Sequence, residues 1–411
     1  PVHNLVFKVN NSNGKQIGTP KKVTGRWTNP LSANKYYAGN PVPETIIDGG
    51  RKYQLKTKRE GNPNLDTKIY FNEPIKNVEF YYKDMGPVKR NYTVNHYWMG
   101  EQNKPIQTET KEAELGSTVT KSPIKIDGYT PVSDASQSIT ITEGTNVINF
   151  YYYKNVELEA NSKTVPYNGQ EQSVSGFTGA PVDADFSAIT VGAKGTNVGE
   201  YPAEFADGTV DTVDGTEKYI VTKATDGKLE IEKRVVTLTS EGGSKVYDGT
   251  PLTKPDVTIG GDGFVAGEVT DIKATGSVTY VSEGEVTNTI TYTEGEKFNA
   301  DNYDIQKTEG KLSITAATAK VTVTITGNKV TETYDGSEKT AKNYTVSIDN
   351  DLYTEDDFTF TGEAEVKATN AGTYDMGLNK SQFKNKNNNF SDSNVEFVVN
   401  DGKLEIEKRV V

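Results

Sequence analysis

Side chains able to do bond-making chemistry are few in this 411-residue chain, and their spacing does not favour it. There is no Cys, which removes thiolate nucleophiles, disulfides and thiolate zinc sites. His3 and His96 are the only two histidines, too few for a His-based metal site or a Ser-His-Asp triad. Acids are plentiful, 57 Asp and Glu, but no segment suggests the groove in which two carboxylates flank a glycosidic bond. No Gly-rich phosphate loop, GxSxG elbow or HExxH pair occurs. The run Asp349-Asn350-Asp351 with Asp356-Asp357 offers the oxygen ligands that Ca²⁺ takes, yet the Gly and closing Glu of an EF-hand loop are missing, and it reads as a solvated turn. Lys–Asn isopeptide crosslinks, each releasing an ammonia, are a further chemistry open to such a chain. The expectation is a protein that is not an enzyme and holds no cofactor or metal.

Binding chemistry is better represented. Sugar rings stack their C–H faces on exposed aromatic rings, and Trp27, Tyr36, Tyr37 and Trp98 lie in or near turns and strands where such faces can form. Two strands end alike, NVEFYYK at 77–83 and NVINFYYYK at 146–154. Period-two alternation sends Val78, Phe80 and Tyr82, and likewise Ile148, Phe150 and Tyr152, to the core. Tyr81 and Tyr151 then face outward; Tyr153 is left unassigned. These six aromatics, Trp27, Tyr36, Tyr37, Tyr81, Trp98 and Tyr151, are the ligand candidates, although packing is the commoner role for each alone. Residues 1–90 hold 16 Lys and Arg against 7 Asp and Glu, a net of +9; the rest of the chain carries 29 against 50, a net of −21. A basic head favours sialylated or sulfated glycans by steering. The acidic remainder and the lack of a recognition motif argue against nucleic acid.

The elements that must position these residues are strands. Thr, Val, Ile and Tyr runs are punctuated by Asn-Gly and Asp-Gly, and VTVTITG at 321–327 alternates strictly. One short helix is allowed in the first module. Internal repeats are prominent: DGKLEIEKRVV occurs at 226–236 and again, unchanged, at 401–411, with EGKLSIT at 309–315. Upstream of each stands an aromatic turn, Tyr167-Asn168-Gly169, Tyr247-Asp248-Gly249 or Tyr334-Asp335-Gly336. The Tyr is expected to cap its own small core with the hydroxyl in water. Five modules follow, at 1–86, 87–155, 156–233, 234–317 and 318–411. LEIEKRVVTLTS at 229–240 and KLSITAATAKVTVTI at 311–325 pass from strand to strand without a Gly/Ser or Pro linker, which predicts stiff junctions. A module of this length is about 30 Å across, so five in line would reach about 150 Å. No run of about 20 apolar residues is present, so no membrane span is expected. The chain reads as an interior piece of a longer protein, and as a monomer.

Residues 91–154 carry YTVNHYWMGE, LGSTVT, IDGYTP, SITIT and NVINFYYYKN in order, and resemble the MucBP (mucin-binding protein) module of Gram-positive surface proteins. Residues 1–86 resemble it at the final strand and the Asp-Gly turn. The three later modules resemble MBG-type repeats of bacterial adhesins through the Tyr-Asp-Gly turn, NVGEY at 197–201 or NAGTY at 370–374, and the closing Gly-Lys-Leu strand; in the second of them NADNYDI at 299–305 partly replaces the Asn-Xaa-Gly-Xaa-Tyr element. The resemblance implies an all-β tandem array, β-grasp-like in the MucBP modules and β-sandwich or β-grasp-like in the repeats. It also implies secretion, attachment to the bacterial cell wall and a role in adhesion to host mucin glycans or another surface ligand. A pure spacer presenting a tip domain, and a non-catalytic region of a secreted glycan-degrading enzyme, are the alternatives.

Overall fold

The computed structural model describes residues 2–24, 31–32, 41–65, 68–70 and 76–411. Among them the regular structure is strand, interrupted by three-residue 3-10 turns and containing no α-helix. The expected all-β array is therefore what forms. The short helical piece allowed in the first module is the 3-10 turn Lys58–Glu60, closed by Thr57 and Glu60 exchanging side-chain-to-backbone bonds. Two compact units arise, one from residues 1–162, 174–193 and 202–228, the other from 163–173, 194–201 and 229–411. This division runs inside the expected module 156–233 rather than at its edge.

One topological rule recurs in both units: the first strand of a module pairs in parallel with its last. In the first unit Val2–Val9 lies beside Asn77–Pro87, matching Leu5 with Val78, Phe7 with Phe80 and Val9 with Tyr82. Lys21–Thr24 and Arg51–Leu55 flank this pair antiparallel. Lys89–Trp98 likewise runs parallel to Val147–Ala160 and antiparallel to Gln107–Glu114. In both modules a central parallel pair is thus flanked by antiparallel strands, with no α-helix among the described residues. Side chains follow the predicted alternation. Phe80, Tyr82, Ile148, Phe150 and Tyr152 are buried, Val78 packs on the same core as Phe80, and Tyr151 is exposed.

Val147–Ala160 is a single 14-residue strand. From Lys154 onward, with a bulge at Val156/Glu157, it also pairs in parallel with Tyr219–Thr225, so one strand closes a module and opens the next. In the second unit the rule applies twice per repeat. Arg234–Ser240 pairs with Tyr303–Thr308 and Gly243–Val246 with Lys311–Thr315. Val321–Gly327 pairs with Val395–Asn400 and Lys329–Thr333 with Lys403–Glu407. The expected linker-free junction is seen after Glu232, where Lys233 alone separates Gly227–Glu232 from Arg234–Ser240.

The Gly that precedes Lys-Leu has a steric cause. A Cβ on Gly310 would lie 2.3 Å from the Glu241 carbonyl carbon and the Gly242 nitrogen. One on Gly227 would lie 2.5 Å from the Asn161 oxygen, and one on Gly402 2.8 Å from the Asn328 oxygen. At each site the turn between a repeat's first two strands crosses the glycine, and only a bare Cα admits it.

Both histidines are packing residues. His3 accepts the Lys76 N–H and bonds the Tyr70 carbonyl. His96 stacks on Phe150 at 5.6 Å. The Tyr152 hydroxyl donates to the Ile124 carbonyl and accepts the Ile124 N–H, which leaves His96 Nδ1 as the donor to it at 2.9 Å. The acids of the 349–357 run hold turns, Asp349 accepting the Thr322 N–H and Asp357 the Thr354 N–H. No cluster of three metal-ligating side chains occurs among the described residues. The buried amides of Asn62, Asn146 and Asn288 donate to main-chain carbonyls.

Candidate functional site at the module joints

The three aromatic turns share one local build. Gly169, Gly249 and Gly336 sit at φ of 77°, 79° and 83°, the left-handed region that favours glycine. Asn168, Asp248 and Asp335 each accept the backbone N–H two residues on, at 2.9 Å. The tyrosines hang from the closing strand through backbone bonds, Tyr167 N–H to Glu232, Tyr247 N–H to Thr315 and Tyr334 N–H to Glu407. Lys245 and Lys339 pair with Asp248 and Asp335 at 2.9 and 2.7 Å, and together with bonds from Thr250 or Ser337 they hold both carboxyls well below the usual range.

For Tyr167 the expectation is corrected, whereas Tyr334 is 40% exposed. Tyr167 does not keep its hydroxyl in water. It is 3% exposed and meets Tyr303 of the following repeat edge-on at 5.6 Å. Its hydroxyl donates to Glu268 Oε1 at 2.7 Å, and the Tyr303 hydroxyl donates to Glu268 Oε2 at 2.6 Å. Burial, reinforced by the Glu268 bond, pushes the Tyr167 phenol up to about 12, and raises that of Tyr303 as well. Arg234 laces the same joint, donating to the carbonyls of Gly263, Tyr167 and Asp262. Asn302, 1% exposed, accepts the Val198 N–H and donates to Asn197.

The next joint repeats the device with other residues. Tyr247 meets Phe390 edge-on at 5.6 Å, and Asn389 accepts the Val281 N–H at 2.9 Å. In the first unit Trp98 takes the tyrosine's part. Its indole N–H donates to the Lys218 carbonyl at 3.0 Å and its ring packs on Tyr219 at 5.8 Å. The Tyr219 hydroxyl donates to Asp183 at 2.7 Å; burial and this bond push that phenol up to about 12. Each joint thus combines an aromatic ring from one module with a polar clasp in the next.

The ligand candidates fare differently. Trp27, Tyr36 and Tyr37 lie outside the described residues. Trp98 is half-buried at the joint. Tyr81 is half-buried and donates to Glu79, which also pairs with Lys8. Tyr151 is 37% exposed and stacks on Tyr97 at 5.8 Å, a two-ring platform on the outer sheet face. Tyr81 and Tyr151 stand on separate sheets and are not brought together. Sequence reasoning missed Glu268, Tyr303, Asn302, Phe390 and Asn389. Asn302 and Tyr303 lie in NADNYD at 299–304, but this segment does not replace the Gly-Xaa-Tyr turn: Tyr303 opens the strand beside Arg234–Ser240, as Val395 does beside Val321–Gly327, whereas Gly372–Asp375 pairs with the closing strand Lys403–Glu407.

The family description "MBG domain" matches residues 320–408, within a residue or two of the third repeat's strands. A search of curated proteins finds no match to the chain.

Proposed function

We propose that this chain is a load-bearing, non-catalytic region of a bacterial cell-surface adhesin, with the repeats from 156 onward serving as its stalk. The observation that carries the reading is the parallel pairing of first and last strands in module after module. Tension applied through the chain loads such a pair in shear, so its evenly spaced hydrogen bonds must fail together rather than one by one. Strand-to-strand junctions and clasped aromatic joints add resistance between modules. The MBG match at 320–408 is compatible with a surface-associated repeat region. The reading places the chain outside the cell, anchored to the wall. Antibodies raised against residues 229–411 should label intact, unpermeabilised cells of the source organism; labelling only after lysis would defeat it.

A second reading adds adhesion by the modules before residue 156. It is favoured by the exposed Tyr97–Tyr151 platform and by the +9 charge of residues 1–90. Mucin glycans bearing sialate or sulfate are the ligands that this charge suits. The full chain should then bind mucin more tightly at low salt than at physiological salt, and Tyr151→Ala should weaken it.

A further inference from the structure

We propose that the joint between the second and third repeats is a binding site for a neutral oligosaccharide. Beside the buried contact of Tyr247 with Phe390 lies an open groove of about 460 Å³. Its aromatic wall is Tyr247 with Tyr280, the rings 6.3 Å apart and 34° from parallel, and Tyr280 is 50% exposed. Facing them are Ser282, Asp356, Lys386 and Asn388. Among the described residues these four side chains make no hydrogen bond or ion pair, whereas neighbouring Asp357 and Asn387 are spent on backbone N–H groups.

That combination has a chemical meaning. An exposed phenol ring offers a face for the C–H side of a pyranose. A free carboxylate, ammonium, amide and hydroxyl around it supply both acceptors and donors for vicinal hydroxyls. The groove's charges are Asp356 and Asp357 against Lys386, a net of −1, which opposes sialate and sulfate and favours an uncharged sugar. The wall is contributed by one repeat and the rim largely by the next, so the site exists only where the joint is made. This ligand class differs from the anionic glycans suited to the basic first module, and the site lies in the region otherwise assigned to load-bearing.

The test uses the full chain on an array of immobilised neutral trisaccharides of glucose, galactose and N-acetylglucosamine, with their sialylated and sulfated counterparts. Retention of at least one neutral sugar is expected. Tyr280→Ala should weaken it about tenfold or more, equivalent to about 1.4 kcal/mol. Asp356→Asn, at an exposed position, should weaken it several-fold without moving the Tm. Three results would each overturn the proposal: no neutral sugar retained, retention of acidic sugars alone, or neutral binding that survives both substitutions.

Discussion

Glu268 is 4% exposed and holds a carboxylate between two tyrosine hydroxyls. Such a group is tolerated inside a protein because each oxygen has a donor. Removing the acceptor leaves both phenol O–H groups buried without the acceptor they donate to, so Glu268→Ala should cost about 1–3 kcal/mol in thermal or urea unfolding. Glu268→Gln keeps hydrogen-bonding atoms at both ends and should cost less. His96 gives a pH test in the other unit. Burial lowers its pKa below the ordinary value, partly offset by Glu109. The unfolded chain therefore takes up the proton first as pH falls, and stability is lost below the unfolded value of about 6.5. Melting of the chain followed from pH 7.5 to 5.5 should show a falling Tm for the first unit, and His96→Gln should flatten that fall.

At the scale of elements, the glycine crossing and the parallel pair explain why the Gly-Lys-Leu strand recurs. Gly310→Ala forces backbone atoms apart without any φ penalty and should destabilise by about 1–3 kcal/mol, read as a drop in Tm. Gly144→Ala, whose Cβ would find its nearest neighbour at 3.7 Å, should stay within about 0.5 kcal/mol. Much of this level was legible beforehand. Alternation placed Phe80, Tyr82, Phe150 and Tyr152 because period two is a property of the strand itself. The junction after Glu232 was legible because a linker needs Gly, Ser or Pro and none was there. The joints were not legible. Tyr167, Glu268 and Tyr303 are up to 136 positions apart in sequence, and no local pattern says which ring meets which acid. The wet hydroxyl expected of Tyr167 failed for that reason: its partner belongs to the next repeat. Trp98 shows the same limit: nothing local in the sequence says that its indole N–H bonds the Lys218 carbonyl and its ring packs on Tyr219.

For the molecule as a whole, the proposed role is to carry tension along the chain. Forced unfolding is governed by the unfolding rate under load. The direct measurement is single-molecule pulling of the full chain from its two ends, with Thr324→Pro as the comparison. Thr324 sits in Val321–Gly327, paired with Ser347 on one side and Val398 on the other. A proline there removes a ladder donor from a strand bonded on both sides. Discrete unfolding events at high force are expected in the parent chain, with one of them shifted to markedly lower force, or lost, in Thr324→Pro. Smooth extension at low force, or a force pattern that the proline leaves unchanged, would contradict that role.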